Sequence, residues 1–332
     1  MIERKITFIR RTVQIFAILL LFYGGWIAGY KHIAIKWYAI DQKTGQTTNL
    51  EYNNPTHTQP AQTFLPVRSC RFAGTTGTFR GCMMFFISDA LTWLLPLKKL
   101  LPHILLLLGL SLVFARFWCG WFCPIGFLSE LLSELRKVTG FFRARFSDPF
   151  RKFLKYTGIT LFFLLILSSL IIALPGTPWS IKKPLYLATC QVCPSKIITP
   201  LISGFPLILN FTFTSASTII LVTLIVLLMI FTLLYAFGLI FKRSWCKICP
   251  GGVILSFFNK ISFIKKEKDL LKCTKCGICA DCCPMECLDV YEEKKNKNVM
   301  HSQCIHCYRC VDLCPEKDCL KVKVGNTEVF KS

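Results

Sequence analysis

Two cysteine strings near the C-terminal end limit this 332-residue chain more than any other feature. From Cys273 the sequence reads CTKCGICADCCP, and from Cys304 it reads CIHCYRCVDLCP. Both follow C-x2-C-x2-C-x3-C-P: Cys273, Cys276, Cys279 and Cys283 before Pro284, then Cys304, Cys307, Cys310 and Cys314 before Pro315. Three thiols at this spacing reach one inorganic core from a tight loop, and a distant fourth locks two such loops together. The spacing predicts a two-cluster fold in which the fourth cysteine of each string serves the other string's cluster. One [4Fe–4S] cluster is expected on Cys273, Cys276, Cys279 and Cys314, and a second on Cys304, Cys307, Cys310 and Cys283. Zinc is the rival ion, but its sites favour C-x2-C pairs over triplets. Cys282, Cys287 and Cys319 are left over. Pro284 marks Cys283 rather than Cys282 as the ligand, and Cys287 and Cys319 read as small buried apolar residues. Lys275 and Lys317 read as a solvated face, with docking of an acidic partner as the alternative.

The rest of the chain is apolar. Hydrophobic residues make up 53% of the sequence and the mean hydropathy is +0.50, which points to a membrane. Four stretches are long enough to span one: 13–30, 101–117, 156–174 and 218–241. The first reads as an uncleaved anchor, because no small-x-small cleavage site follows it. FPLILNF, between Pro206 and Asn210, reads as interfacial or re-entrant. Lys and Arg total 40 against 18 Asp and Glu, but no nucleic-acid motif accompanies them, so the excess reads as membrane flanks. Arg4, Lys5, Arg10 and Arg11, the basic loop from Arg136 to Lys155, and Lys242, Arg243, Lys247 and KKEK all suit the cytoplasmic side. Arg68, Arg71, Arg80, Lys98 and Lys99 run against that count. DQKTGQTTNLEYNNPTHTQPAQ reads as an exposed outer loop. FLSELLSELRKV reads as an amphipathic helix with Leu128, Leu131, Leu132 and Leu135 on one side, lying on the membrane or packing against the spans. The expected architecture is an α-helical membrane protein with four transmembrane helices in residues 1–262, followed by a cytoplasmic α+β two-[4Fe–4S] ferredoxin-like domain in 263–332. Its place would be the bacterial inner membrane, with both termini cytoplasmic.

A further cysteine pattern closes the second and fourth stretches. FWCGWFCPIGFLS carries Cys119 and Cys123, and SWCKICPGGVILS carries Cys246 and Cys249. Both contain Trp-Cys, Cys-Pro and a final Leu-Ser, as an internal duplication would leave them. On one membrane face the four thiols can converge on an iron–sulfur cluster or another thiophilic metal; structural thiols at helix ends are the alternative. Cys70, Cys82, Cys190 and Cys193 fall on the outer face, as disulfides or as a second metal or redox set. His32 and His103 stand near outer span ends, where lone interfacial histidines are commoner than haem ligands.

Together these motifs resemble the NapH/MauN family, related to the membrane part of NosR. The resemblance runs from the first span to Cys314, with one departure: the second edge motif is Cys-x2-Cys-Pro rather than Cys-x3-Cys-Pro. It implies a quinol dehydrogenase component or electron-transfer partner, with quinone as a further redox partner. Respiratory or periplasmic reductase components would lie downstream. Two other roles stay open: a metal or thiol reductase assisting maturation of a periplasmic metalloenzyme, and a membrane anchor and docking subunit that wires a partner enzyme.

Overall fold

The computed structural model describes residues 5–27, 37–40, 47–50, 64–66, 81–93, 97–140, 147–178, 193–195, 198 and 241–332. Two compact units divide the chain. One comprises Met1–Ile18, Ile104–Phe163 and Leu228–Ser332, the other Leu19–His103 and Leu164–Leu227. The boundary expected at 262/263 falls inside the first unit.

Three helices carry the apolar stretches: α1 (Lys5–Ile27), α3 (Leu97–Phe114) and α6 (Asp148–Ala173). Among the described residues, α6 is the one helix long and apolar enough to cross a membrane, and Leu100–Phe114 is a shorter apolar helix. The fourth expected span, up to residue 240, and FPLILNF lie outside the described residues.

In the second unit, β1 (Trp37–Ile40) and β2 (Thr47–Leu50) pair antiparallel. The polar stretch expected to be plain loop thus holds half of a hairpin, consistent with its paired threonines and the aromatic strand opposite. Next, β3 (Phe64–Leu65) pairs with β4 (Gly81–Cys82), which leads into α2 (Met83–Trp93). There Ser88 and Ser169 share a hydrogen bond of 2.9 Å, and Phe86 packs on His103.

In the first unit the tail forms an antiparallel sheet, β5 (Ile264–Lys268), β6 (Leu320–Val324) and β7 (Thr327–Lys331), in that order. Three single-turn helices hang from it: α9 (Ile278–Cys282), α10 (Asp289–Glu292) and α11 (Arg309–Asp312). Val290, Val299, Val311, Leu320 and Val322 make its core, and Ile6 of α1 and Trp121 belong to the same apolar cluster. Asp312 fixes the start of α1. Its carboxylate accepts from the backbone N–H groups of Ile6 and Thr7 at 3.2 and 3.0 Å, satisfying donors that a helix start leaves open.

The first unit also holds two copies of one motif. Short α4 (Phe117–Trp121) is followed by α5 (Pro124–Thr139), and short α7 (Ser244–Ile248) by α8 (Pro250–Phe258). In each copy the first cysteine lies in the short helix. The second caps the longer one, with proline at its first position, where a missing N–H costs nothing. Helix α5 is turned polar side in. Ser129, Glu130, Ser133 and Arg136 are buried, whereas Leu131 and Leu135 are 55% and 53% exposed.

Candidate iron–sulfur centres

The two tail strings fold alike. Lys275 and Gly277 flank Cys276 with φ of 55° and 79°, and His306 and Tyr308 flank Cys307 with φ of 51° and 53°. A left-handed residue on either side of the middle cysteine curls each loop round a centre. Three of these four residues are not glycine, so the conformation is held by surrounding structure rather than by backbone freedom. Glu286 and Asp318 repeat it just before the leftover Cys287 and Cys319.

Cys273, Cys276, Cys279 and Cys314 line one cavity, so the string of the first loop meets the last cysteine of the second. This set faces solvent: Cys276 is exposed. Cys304, Cys307, Cys310 and Cys283 are gathered more deeply. Cys307 and Cys310 are buried, and the ammonium of Lys266 reaches the Cys304 and Cys310 sulfurs, each at 3.8 Å. Burial alone would lower the Lys266 pKa, but the thiols of Cys304, Cys310, Cys283 and Cys287 outweigh it and push it well up. Cys287 and Cys319 are 3% and 2% exposed. Cys282 is half-buried between the two sets, and burial, followed by Cys310 and Cys307, raises its thiol above its ordinary pKa.

The edge cysteines come together as well. Burial pushes the Cys123 thiol up to about 12, and Cys119, Cys246 and Cys249 push the same way. Cys119 rises to about 11 through burial, opposed by Arg116 and reinforced by Cys249 and Cys246. Two arginines cross between the copies. Arg116 donates from Nη2 to the carbonyl of Cys246 at 3.0 Å, and Arg243 donates from Nη1 to the carbonyl of Cys119 at 3.1 Å. Each passes where its partner copy carries glycine. A Cβ on Gly126 would stand 2.9 Å from Arg243 Nη1, and one on Gly252 would stand 2.8 Å from Arg116 Nη2.

Glu130 ties the assembly to α1 and the tail. Its carboxylate is held by Arg10 through two bonds of 2.8 Å, by Arg243 at 2.5 Å and by Arg309 at 3.7 Å. Burial would raise its pKa, yet Arg243, Arg10 and Arg309 together hold it far below the usual carboxylate range.

The edge set and the second tail set share one packed cluster. Cys246, Met285, Cys287, Ile305 and Cys307 are its buried members, with Cys119, Cys283 and Cys304 against them. Gly120 allows the approach: a Cβ there would lie 2.0 Å from the Ile305 carbonyl oxygen. Trp121 donates to the His306 carbonyl at 2.8 Å, and Lys247 pairs with buried Glu286 at 2.6 Å. The Asn259 amide donates to the carbonyls of Ser302 and Cys304, each at 2.7 Å, while its oxygen accepts from the backbone N–H of Arg116 at 3.1 Å. His306 Nε2 lies 3.1 Å from the same oxygen and therefore donates, leaving Nδ1 to accept from Tyr308. Burial, then Lys266 and Arg116, lower its pKa to about 3, so the ring is neutral.

Four thiols around one centre are the donor set an iron–sulfur cube requires. Among the described residues no three His, Cys, Asp or Glu side chains stand close enough for a single metal ion. The outer set is seen in part: Cys193 is buried, and Cys82 accepts from the Phe85 N–H at 3.4 Å. Cys70, Cys190 and His32 lie outside the described residues.

Several residues of the site escaped the sequence reading. Arg116 and Arg243 each stand three residues before a Trp-Cys cysteine, in RFWC and RSWC, which was the available signal. Charges read as membrane flanks also have specific internal partners. Arg10 and Arg243 are both 0% exposed on Glu130, and Lys247 meets Glu286. Of KKEK, Lys266 faces the cysteines, and Lys268 donates to the carbonyls of Val290 and Glu293 at 2.9 and 3.1 Å.

The family described as "4Fe-4S binding domain" matches residues 104–141 and 216–268, which contain the edge cysteines. The family described as "4Fe-4S dicluster domain" matches 265–315. An uncharacterized protein of Methanocaldococcus jannaschii is 26% identical over 242 residues, 72% of this chain and 85% of that protein. Ferredoxin-type protein NapH of Haemophilus influenzae is 25% identical over 230 residues, 65% of this chain and 68% of NapH. The putative electron transport protein YccM of Escherichia coli is 24% identical over 210 residues, 62% of this chain but only 50% of YccM. No solved structure matches. Iron–sulfur binding and electron transfer are therefore shared ground between this chain's motifs and its relatives, and the chain is similar to the NapH-like polyferredoxins.

Proposed function

We propose that this chain is an inner-membrane electron-transfer protein that carries electrons between the quinone pool, or a membrane redox partner, and a respiratory or periplasmic reductase system. The observation that carries the reading is the shared packing of the edge cysteines with the second tail set, Cys246 against Cys307 and Ile305. A bound [4Fe–4S] cluster supplies reversible one-electron chemistry. The residues do the rest. Cys119, Cys123, Cys246 and Cys249 form one holding set, Cys304, Cys307, Cys310 and Cys283 a second, and Cys273, Cys276, Cys279 and Cys314 a third. The first two are enclosed by protein, and the third opens to solvent at Cys276. That order gives a path from the membrane edge to a surface where a soluble partner can dock.

The membrane part of the proposal has four spans and both termini in the cytoplasm. Its support is the length of α6 and the exposed apolar side chains that line three helices. Phe8 and Phe16 of α1, Leu105 of α3, and Phe163 and Leu167 of α6 are each at least 53% exposed. The outward leucines of α5 suit the same surroundings. Insertion responds to charge near span ends in the chain, so the basic residues still argue for orientation although several later pair internally.

Anaerobic purification with iron and sulfide analysis tests the clusters. Iron for three four-iron cores is expected, falling by one core in Cys246→Ser. Iron for only two cores in the wild type sinks the edge site. Reduction of the isolated protein by a quinol, followed by EPR, tests the electron path. Full iron with no response to quinol removes the quinone pool as the electron donor.

A further inference from the structure

Beside the edge cysteines, in the first unit, lies a cavity of about 340 Å³ between the foot of α6 and α8. Arg116, Lys155 and Lys260 bring positive charge to it, Ile159, Val253 and Phe257 give it an apolar wall, and Ser302 and Gln303 add neutral polar groups. Lys247 also borders it, its ammonium held by Glu286 at 2.6 Å. Among the described residues no Asp or Glu lines it. Arg116 is 2% exposed, and its Nε, buried with it, has no hydrogen-bond partner. A buried guanidinium N–H left open is costly unless something accepts from it. Lys155 lies in the second turn of α6, the helix apolar enough to enter a bilayer. Phe257 of the apolar wall is 66% exposed, and Ile261 and Phe263, a few residues further along the chain, are 65% and 58% exposed.

We propose that this cavity binds the phosphate group of an anionic lipid. Cations without a facing carboxylate select an anion, and arginine with lysine suits phosphate oxygens. Basic pockets beside membrane helices on the cytoplasmic side are where such headgroups lodge. The apolar wall and the exposed aromatic and aliphatic side chains then meet the acyl chains. Because Arg116 also holds the Cys246 carbonyl, the bound lipid would brace the edge cysteines from the membrane side. The proposal rests on the reading that α6 enters a membrane.

The test uses the full chain, purified anaerobically in mild detergent and mixed with phosphatidylglycerol or phosphatidylcholine. Retained lipid is measured by native mass spectrometry, and co-flotation with vesicles of each lipid is measured separately. The wild type is expected to retain phosphatidylglycerol about thirtyfold better than phosphatidylcholine, the effect of two lysines at an anionic surface. Lys155→Gln/Lys260→Gln, at two exposed side chains, should lose that preference with iron content unchanged, and Lys294→Gln/Lys295→Gln on the tail should keep it. Co-flotation with both vesicles but equal retention of the two lipids overturns the proposal and leaves the membrane reading standing. Failure to co-float with either vesicle overturns both. If inorganic phosphate at millimolar concentration binds and phosphatidylglycerol does not, the cavity is a free-phosphate site and the lipid assignment falls.

Discussion

Arg243 reaches from one edge motif to the carbonyl of Cys119 in the other, 3.1 Å away, and its other terminal nitrogen bonds Glu130 at 2.5 Å. One fully buried cation thus fixes a cysteine-bearing turn and neutralises a buried carboxylate. Removing Glu130 leaves Arg243 and Arg10 buried without their carboxylate, which typically costs about 3–5 kcal/mol, whereas removing Arg243 leaves Glu130 still paired with Arg10 and costs less. Arg243→Ala should therefore lower both the thermal midpoint and the iron content. Arg243→Ala combined with Glu130→Ala should be less harmful than the sum of the two single changes, because they share one interaction. Additive losses would show that the pair is not a unit.

Glu130 also sets a pH dependence. Its folded pKa lies below the unfolded carboxylate value of about 4.3, so its contribution is complete above that pH. As pH falls below about 4.3, the unfolded state takes up the proton first, and stability drops toward the folded pKa. The advantage of wild type over Glu130→Gln in thermal unfolding should be constant from pH 8 to 5 and shrink below that. An advantage that grows on acidification would contradict the assignment.

The glycines grade the closeness of approach. Alanine at Gly120 meets the Ile305 carbonyl oxygen at 2.0 Å, and at Gly126 it meets the Cys119 carbonyl oxygen at 2.8 Å. At Gly252 the nearest atom is a side-chain atom, Arg116 Nη2 at 2.8 Å, rather than backbone, and at Gly109 nothing lies within 4 Å. Iron retention should fall in the order Gly120→Ala worst, then Gly126→Ala, then Gly252→Ala. Gly109→Ala, inside helix α3, should be neutral or stabilising by about 1 kcal/mol. A Gly120→Ala protein with full iron and wild-type stability would mean that the tail loop does not seat against α4.

Lys266 places a cation 3.8 Å from two sulfurs of the second tail set. Positive charge there favours the reduced cluster, so Lys266→Met should make that centre's potential more negative. Each ~1.4 kcal/mol of lost interaction is about 59 mV for a one-electron couple. EPR-monitored redox titration reads the shift. Lys268→Met, whose wild-type ammonium bonds backbone carbonyls near α10, should loosen that turn with a much smaller change in this potential.

Cys287 and Cys319 should prove dispensable for iron. The bond from the Cys287 backbone N–H to Cys283 Sγ, 3.3 Å, survives replacement of the side chain. Cys287→Ala and Cys319→Ala are expected to keep full iron and to cost about 1–2 kcal/mol for a small buried cavity. Loss of a whole cluster in either variant would make that cysteine a ligand.

The sequence by itself determined what is local. Three thiols within seven residues form one loop wherever that loop sits, so the tail strings and the duplicated Cys-Pro motifs were legible from spacing. The apolar stretches at α1, α3 and α6 were legible for the same reason, since helical length and hydropathy are properties of one segment. Only the tertiary structure decided how distant charges are used. Arg10, Glu130, Arg243 and Arg309 are far apart in the chain and ordinary as single letters. Their meaning arises where burial removes water and each charge needs a partner. Lys266 and Lys268 read as part of a membrane flank because composition carries no record of which side of a strand faces inward. Gly120 likewise announces nothing until the Ile305 carbonyl stands where its side chain would be.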